Sequence, residues 1–354
     1  MSPKRILRLV AQVLVLLVVV VGIVHSGRKA ALQLASQRSG LAEKATQAET
    51  ASQNAVDASE REQLQLEAVR LRKAVDRFWQ VSPMMLLASA VFYALGTLPA
   101  NWYWRQCLLT MDQRAPFLAT TWAYFYGGLG KYFPGKAMVI VLRLGALKNY
   151  DFKKMATAIT IFMETLTMMA VGGALAAICL ILLNLDWRLT LLAIGLLLAM
   201  FLPTLPPILR LIIAKLQRGV SAETLREWTS RIHFGLVFRG WIAMVLAWLL
   251  FGLSLLCILR GLPIAETLET DWTRLMLSSL GACALAVVLG FVSLLPGGAG
   301  VREVVLSTIL APVVGPAAAL CAAIWLRITW LATELAVVAL LAALRFALPS
   351  RSPN

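Results

Sequence analysis

The residues of this sequence that could do chemistry are charged side chains inside long apolar stretches. Glu164 lies within the stretch 155–184, and Arg327 and Glu334 lie within 316–344. A charge at the centre of a membrane helix costs roughly 2.5–3.5 kcal/mol on insertion scales, so it normally faces a partner or water. Because Glu164 and Arg327 have opposite signs, we expect them to pair. Glu334 is an alternative partner for Arg327, since seven residues place both on about the same helical face.

Two Pro-Gly breaks interrupt other apolar stretches. The stretch 117–146 contains Gly130-Lys131-Tyr132-Phe133-Pro134-Gly135-Lys136, with Arg143 beyond it, and 274–314 contains Pro296-Gly297-Gly298-Ala299-Gly300-Val301-Arg302-Glu303. A break frees backbone N–H groups, and a helix that begins after it directs its positive end at the break. The second break would therefore suit a phosphate, and the cations of the first break could act in the same way. A tight glycine turn with cations that extend toward the membrane surface is the structural alternative.

The breaks stand at corresponding places in two halves of the sequence. Glu164 follows Pro134 by thirty residues, and Arg327 follows Pro296 by thirty-one. Broken apolar segments in corresponding halves of a membrane protein point to a transport site. We expect each broken region to enter and leave the membrane on one side, the first from the cytoplasm and the second from outside, with the alternative that 274–295, which is long enough, spans the membrane. The two regions would then be an inverted pair of re-entrant segments.

The composition places these charges in a membrane protein. Of the 354 residues, 60% are hydrophobic and 14% are charged, whereas a soluble domain has roughly 45–50% apolar and about 25% charged residues. This balance excludes a secreted disulfide scaffold, a disordered chain and a two-domain cytosolic enzyme. The continuous apolar stretches exclude a transmembrane barrel. We predict an all-α, polytopic membrane helix bundle.

No pattern predicts a metal or a cofactor. The five cysteines lie in or beside apolar stretches without metal-ligand spacing, and two histidines cannot complete a metal site. These residues are Cys107, Cys179, Cys257, Cys283, Cys321, His25 and His233. The nucleotide-binding pattern G-x-x-x-x-G-K-[ST] is absent. We expect no metal, no cofactor and no ATP-driven transport within this chain.

Basic residues set the expected orientation. The net charge of +15 lies in short segments beside apolar stretches, which favours membrane topology and anionic lipids over nucleic acid. We place the basic segments 105–116, 143–154 and 210–239 in the cytoplasm and the acidic segment 261–272 outside. Both termini of this inner-membrane (plasma-membrane) protein are then cytoplasmic. The candidate spans are 83–104, 155–184, 189–213, 240–260 and 316–344, each long enough to cross a membrane.

The chain ahead of the bundle divides into two parts. Residues 1–26 are predicted to form a signal-anchor helix. Residues 27–80 are polar, and we expect one long solvated helix outside the membrane. Apolar residues at alternating spacings of four and three also predict a short coiled coil there, with 41–78 contacting a second copy or a protein partner: Leu64, Ala68, Leu71, Val75 and Phe78. The bundle follows at 81–348 and a tail at 349–354.

The second break, together with the block Gly-Lys-Tyr-Phe-Pro-Gly-Lys of 130–136, resembles the lysylphosphatidylglycerol synthase transmembrane-region family of flippase-like membrane domains. The resemblance covers roughly residues 83–345. It implies an inverted-repeat bundle that binds or moves a lipid. In the synthases a soluble aminoacyl-transferase domain follows the bundle, whereas this sequence ends at Asn354. We therefore expect no lipid aminoacylation by this chain alone.

These observations predict a membrane protein, not an enzyme, that translocates or binds a phosphate-bearing, anionic lipid. Glu164, Glu303 and Glu334 would balance charge or couple protons. The residues expected to bind the headgroup are Arg302, Arg327, Gly297, Gly298, Gly300, Lys136 and Arg143, and those expected to break the helices are Pro134, Gly135 and Pro296.

Two other functions stay open on the sequence. One is a membrane-anchored scaffold that recruits a partner through 27–80, which would tolerate Arg327→Ala but fail without 41–78. The other is a membrane-embedded transferase acting on a polyprenyl phosphate, which would lose activity when divalent metal is chelated.

Overall fold

The computed structural model describes residues 38–76, 80–133, 137–183, 187–216, 222–262, 271–293 and 295–347, with Leu32, Ala35 and Ser36 ahead of them. These residues form helices and connecting turns, without a strand among them. The prediction of an all-α polytopic bundle is confirmed. The expected signal anchor, the tail 349–354 and three residues of the first break, Pro134, Gly135 and Lys136, lie outside the described residues.

The described residues form twelve helices, which are α1 (38–54), α2 (Ala58–Asp76), α3 (Pro83–Thr110), α4 (Phe117–Gly128), α5 (Ala137–Ala146), α6 (Lys154–Leu183), α7 (Trp187–Phe201), α8 (Pro206–Leu216), α9 (Ala222–Ser230), α10 (Phe234–Gly261), α11 (Trp272–Val292) and α12 (Val301–Ala347). Short 3₁₀ turns lie at Leu129–Tyr132, Leu202–Thr204 and Pro296–Gly298. The described part of the chain contains six helices long and apolar enough to cross a membrane, or seven if the bent pair α7–α8 is one span.

The centre of the bundle is the antiparallel pair of α3 and α10. The Ser82 N–H donates to the Gly261 carbonyl (2.9 Å), so the beginning of α3 meets the end of α10. A Cβ at Gly240 would lie 2.3 Å from the Tyr103 ring, and one at Gly172 on α6 would lie 2.6 Å from the Trp248 ring. These contacts are typical of membrane helices, in which small residues let large neighbours approach closely.

Apolar side chains also cover the outside of the bundle. On α3, exposed apolar residues follow one another at spacings of three or four, which is one face of a helix: Met84, Leu87, Val91, Leu95, Leu98 and Trp102. A soluble monomer rarely exposes so long an apolar stripe. This face suits contact with lipid chains.

The three basic segments meet at one end of the bundle, hereafter the basic end. The Lys153 N–H donates to the Gln113 side chain at 2.7 Å, which joins the start of α6 to the end of α3. Arg231 pairs with Asp112, which joins the segment before α10 to the same place. The prediction that these segments share one side agrees with this arrangement.

The first broken region enters and leaves at the basic end. α4 has 12 residues and α5 has 10, so each is too short to cross a bilayer. They pack against each other, and a Cβ at Gly130 would lie 2.6 Å from the Val139 backbone nitrogen. This is the hairpin expected of a re-entrant segment.

The second broken region begins at the opposite end, where Arg260 lies over the Trp272 ring at 3.6 Å. Its first helix, α11, has 21 residues, which is the length of a membrane span. Of the two alternatives for 274–295, a span or a re-entrant segment, this length favours the span. The topology is unaffected, since two spans return the chain to its starting side just as a re-entrant segment does.

α12 is broken at Gly315, whose φ of 77° and ψ of 153° are not helical. Residue Arg345 lies over the Trp122 ring, beside Lys148 and Asn149 at the basic end. The arm 316–347 would extend about 48 Å as a straight helix. Gly315 is thus at the end opposite the basic end, and the arm 301–314 leads up to it.

The predicted span at 189–213 is a bent pair of helices, α7 and α8, which meet at an angle of 75°. The junction contains Pro203, Pro206 and Pro207. Proline lacks an N–H and its ring clashes with the preceding turn, so an α-helix does not continue through such a cluster.

The single long helix expected at 27–80 forms two helices among the described residues. Asp57 lies between α1 and α2, and its side chain accepts a hydrogen bond from the Ser59 N–H at 3.2 Å. Aspartate is a favoured residue at a helix amino terminus, and Glu60 three residues later completes a capping-box pattern. A new helix therefore begins at Ala58.

α2 folds back on α1 to form a helical hairpin. Arg72 makes two hydrogen bonds to Glu49, at 2.8 and 2.9 Å. This hydrogen bonding lowers the pKa of the Glu49 carboxyl. Two seam residues, Ala68 and Leu71, are buried against residues of α1, namely Ala45 and Ala48, with Leu41 packed beside them. These two seam residues thus have partners within this chain, whereas Phe78 of the predicted seam lies outside the described residues.

The close approach of α3 and α10 gives a stability prediction. Gly240→Ala should lower the melting temperature of the detergent-solubilised protein by destabilising it by about 1–3 kcal/mol, because the new methyl group overlaps the Tyr103 ring. Gly195→Ala is the matched control, since nothing lies within 4 Å of its Cβ position. Equal melting temperatures for the two variants would contradict the packing.

Candidate functional site

A cavity of about 490 Å³ lies where the two broken regions meet. The 3₁₀ turn of the first break contacts the 3₁₀ turn of the second. Gly297 has a φ of +58°, and a Cβ there would lie 3.2 Å from the Tyr132 ring and 3.1 Å from Arg327 Nη2. Glycine is needed at this position both for its backbone conformation and for this contact.

An ion pair buried on one side of the cavity joins α5 to α6. Arg143 Nη1 lies 2.9 Å from Glu164 Oε2, and the two side chains are each 5% exposed. The Arg143 guanidinium lies 4.5 Å from the ring centres of both Trp104 and Tyr124. The Tyr124 hydroxyl donates to Glu164 at 3.4 Å.

This pair corrects two expectations. Arg143 was counted among the basic loop residues, yet it is buried in the bundle. The expected pairing of Glu164 with Arg327 is wrong, because α5 folds back beside α6 and places Arg143, not Arg327, next to Glu164. Gly127 makes room for this return, since a Cβ there would lie 2.2 Å from Arg143 Cγ.

A second ion pair joins the two arms of α12. Arg327 pairs with Glu303, whose other carboxylate oxygen accepts the Gly300 N–H at 2.7 Å. A straight helix would separate residues 303 and 327 by roughly 36 Å, so the contact requires the chain to fold back at Gly315. Glu303 also satisfies an N–H at the start of α12, as the glutamate of a capping box does.

A third ion pair connects the first break to α12. Glu334 accepts hydrogen bonds from Lys131 and from the Tyr93 hydroxyl, all through one oxygen, Oε1. The predicted alternative partner of Glu334, Arg327, is therefore wrong. The ring of Tyr93 stacks on Trp330 with ring centres 4.3 Å apart.

Tyr93 and Trp330 line the cavity but are not among the site residues that the sequence predicts. Tyr93 lies in the stretch 83–104, which was treated as an ordinary apolar span. A tyrosine in the middle of such a span was the available signal, because its buried hydroxyl needs a hydrogen-bond partner.

Arg302 is the cation that has no acid beside it. It lines the cavity, and its stem passes over two glycines: a Cβ at Gly290 would lie 2.8 Å from Arg302 Cγ, and one at Gly298 would lie 2.8 Å from Nε. Among the described residues Arg302 makes no ion pair, and its Nε is buried without a hydrogen-bond acceptor.

The charges around the two breaks do not balance. The described residues there are four cations and three carboxylates: Lys131, Arg143, Arg302, Arg327, Glu164, Glu303 and Glu334. After the three ion pairs are formed, the positive charge of Arg302 remains. An anion in the cavity would neutralise it.

The other predicted site residues fall in three groups, of which the first, Pro134, Gly135 and Lys136, lies outside the described residues. Gly297, Gly298 and Pro296 line the cavity. Gly300 has a φ of +82° and contributes its N–H to Glu303. Over the described ranges, no three His, Cys, Asp or Glu side chains come together in a group that could hold a metal ion.

Residues 66–347 match the family described as Lysylphosphatidylglycerol synthase TM region. The chain belongs to this family. The matched range begins within α2 and ends at the last residue of α12, so it includes every element that lines the cavity of this family member. No curated protein matches the chain. Family and apolar helices together show an integral membrane protein of the Lysylphosphatidylglycerol synthase TM region family.

The buried ion pair of α5 and α6 gives a second stability prediction. Glu164→Gln should destabilise the protein by about 3–5 kcal/mol, because it leaves the Arg143 charge buried without its partner. The double variant Arg143→Met with Glu164→Gln should recover much of this loss. Unfolding in a denaturing detergent followed by tryptophan fluorescence would measure it.

The control for that experiment is an exposed pair. Glu227→Gln breaks the Glu227–Arg231 pair, whose side chains are 56% and 34% exposed, and should change stability by less than about 1 kcal/mol. A Glu164→Gln effect no larger than that of Glu227→Gln would contradict a structural role for the buried pair.

Proposed function

We propose that this protein binds the headgroup of an anionic, phosphate-bearing lipid in the central cavity and moves it between the leaflets. The observation that carries the proposal is the excess positive charge at Arg302. A buried cation without an acid is costly in an apolar bundle, so it favours an anion from outside the chain.

The chemistry at the second break supports a phosphate as that anion. Arg302 offers a planar guanidinium, which binds phosphate oxygens through paired N–H groups. Gly297 and Gly298 line the same cavity, and the absence of side chains on them lets Tyr132 and Arg302 pack closely against the backbone there. A pocket of about 490 Å³ has the size of a small-molecule site.

The rim of the cavity supports a lipid over a soluble anion. Phe133 and Phe162 line it and are 53% and 40% exposed on the outside of the bundle. An amphiphile could place its phosphate at Arg302 and leave its acyl chains beside these rings, in the bilayer. A soluble anion would have no use for an apolar rim.

We further propose that the two halves of the bundle are inverted repeats. In the first half, a long helix (α3) precedes a hairpin open to the basic end and then α6. In the second half, α10 precedes a hairpin open to the opposite end and then the arm 316–347. Such a pair would let the site face each leaflet in turn. The basic end would be cytoplasmic by the distribution of Lys and Arg.

A leaflet-accessibility assay tests the proposal. The purified protein is reconstituted in liposomes with fluorescent phosphatidylglycerol or fluorescent phosphatidylcholine, and a membrane-impermeant quencher reports the outer leaflet. Wild type should move phosphatidylglycerol faster than empty liposomes do. Arg302→Gln should slow it about tenfold or more, the effect of losing one charge-assisted hydrogen bond.

Arg345→Gln is the matched control, because Arg345 lies outside the cavity at the basic end and should leave the rate unchanged. Equal rates for wild type and empty liposomes, with folding verified, would contradict the proposal and direct attention to the hairpin of α1 and α2. Equal rates for wild type and Arg302→Gln would remove the headgroup from Arg302.

A further inference from the structure

We infer that water enters the central cavity from the basic end, along one face of α3, and that the same face is closed toward the opposite end. The inference concerns access to the cavity rather than its ligand, so it holds whether or not the proposed lipid binds there. It starts from two buried polar atoms on α3 that none of the ion pairs around the breaks involves.

Polar side chains recur at every fourth residue along α3. This polar file consists of Ser89, Tyr93, Thr97, Asn101 and Arg105. Residues four apart lie on one face of a helix, one above the other. Tyr93 and Thr97 line the cavity, whereas Arg105 lines a surface depression at the basic end, together with Arg114. The polar file therefore leads from the cavity to the basic end, over about 18 Å of helix between Tyr93 and Arg105.

The helix that faces this part of the polar file is α4, which runs antiparallel to α3. Asn101 Nδ2 donates to the Thr121 hydroxyl at 3.1 Å. One turn nearer the basic end, the Arg105 guanidinium lies 5.8 Å from the centre of the Phe117 ring. In the other direction along α4, Phe125 lines the cavity. The seam between α3 and α4 thus connects the cavity with the basic end.

Two polar atoms in this seam are buried without a hydrogen-bond partner among the described residues, namely Asn101 Oδ1 and Arg105 Nε. The first is an acceptor and the second a donor. Turning the Asn101 amide over would only exchange which of its two ends is unpaired. A buried polar atom without a partner costs about 1–3 kcal/mol. Water satisfies both atoms, because it can accept from Arg105 and donate to Asn101.

Toward the opposite end, aromatic rings close the same face of α3. Tyr93 stacks on Trp330 with ring centres 4.3 Å apart, and Phe251 packs against both rings, at 5.3 and 5.4 Å. One turn nearer the opposite end, Ser89 Oγ lies 2.8 Å from Ser254 Oγ, which also accepts the Trp330 indole N–H at 3.0 Å. These polar groups satisfy one another, so they need no water.

The contrast between the two ends gives the path its direction. Among the described residues Arg105 makes no ion pair, and a charge without a partner favours contact with water. The layer of Tyr93, Phe251 and Trp330 is apolar on the other side. Water and small polar solutes therefore reach the cavity from the basic end in this structure.

Cysteine labelling tests the path, because a charged, membrane-impermeant thiosulfonate attacks the thiolate, which forms in water and not among apolar side chains. Asn101→Cys and Ser89→Cys are a matched pair, since the native residues are 2% and 0% exposed and lie on opposite sides of the aromatic layer. The full-length variants are placed in phosphatidylcholine nanodiscs, which leave both ends open to the reagent. Asn101→Cys should react about tenfold or more faster than Ser89→Cys.

Three controls accompany this pair. Leu98→Cys tests the depth, because Leu98 is 47% exposed on the lipid-facing side of α3, and it should react as slowly as Ser89→Cys. Wild type gives the baseline, since four of its five cysteines are buried. Adding Arg105→Leu to Asn101→Cys should slow the reaction about fivefold or more, because the seam then loses its charge at the basic end. Adding Arg260→Leu, the same change at the opposite end, should not.

A reaction at Asn101→Cys no faster than at Leu98→Cys would overturn the path. Equal rates for Asn101→Cys and Ser89→Cys would overturn the closure at the aromatic layer, and equal slowing by Arg105→Leu and Arg260→Leu would overturn entry at the basic end. If Asn101→Cys does not fold, Thr97→Cys lies on the same side of the layer and gives the same comparison. The lipid assay can fail while the labelling succeeds, so the two proposals are tested separately.

Discussion

The structure depends on the neutralisation of charge inside an apolar bundle. Each carboxylate near the two breaks has a cation beside it, and each of these contacts joins elements that the chain separates. Arg143 with Glu164 holds α5 against α6, and Lys131 with Glu334 holds the first break against α12. Of the three pairs, Lys131 with Glu334 is the one that joins the first broken region to the second half of the bundle. A cavity exists there because helices that end in mid-bundle leave space that the charged side chains line without filling.

The sequence located the charged residues inside the bundle more reliably than it identified the partner of each. Hydropathy located four of the five expected spans as single helices and the fifth as the bent pair α7–α8, because burial in a membrane requires about 20 apolar residues in a row. The charges in those spans identified Glu164, Arg327 and Glu334 as residues with a partner or a cavity. The sequence could not predict the ion-pair partner of each charge, since the partner depends on the rotation of each helix about its axis and on which hairpin packs beside it.

Two local signals in the sequence predict a bend and a helix start that the hydropathy pattern alone does not show. Pro203, Pro206 and Pro207 predict the bend between α7 and α8, and Asp57 with Glu60 predicts the start of α2. The glycine pair that seats Arg302 is different in kind. Gly290 and Gly298 lie on separate elements. Only the three-dimensional structure shows that a Cβ at either position would overlap the Arg302 side chain.

The helical hairpin of α1 and α2 limits how this protein can associate through that region. Two residues of its apolar seam, Ala68 and Leu71, already pack against α1, so a second copy could contact them only by displacing that helix. A dimer built on the seam would have to open at residues 55–57 and exchange arms. α1 of one copy would then pack on α2 of the other, and Arg72 would find Glu49 across the molecular boundary. Association of that kind is domain swapping, and its rate would be set by the unfolding of the hairpin rather than by diffusion.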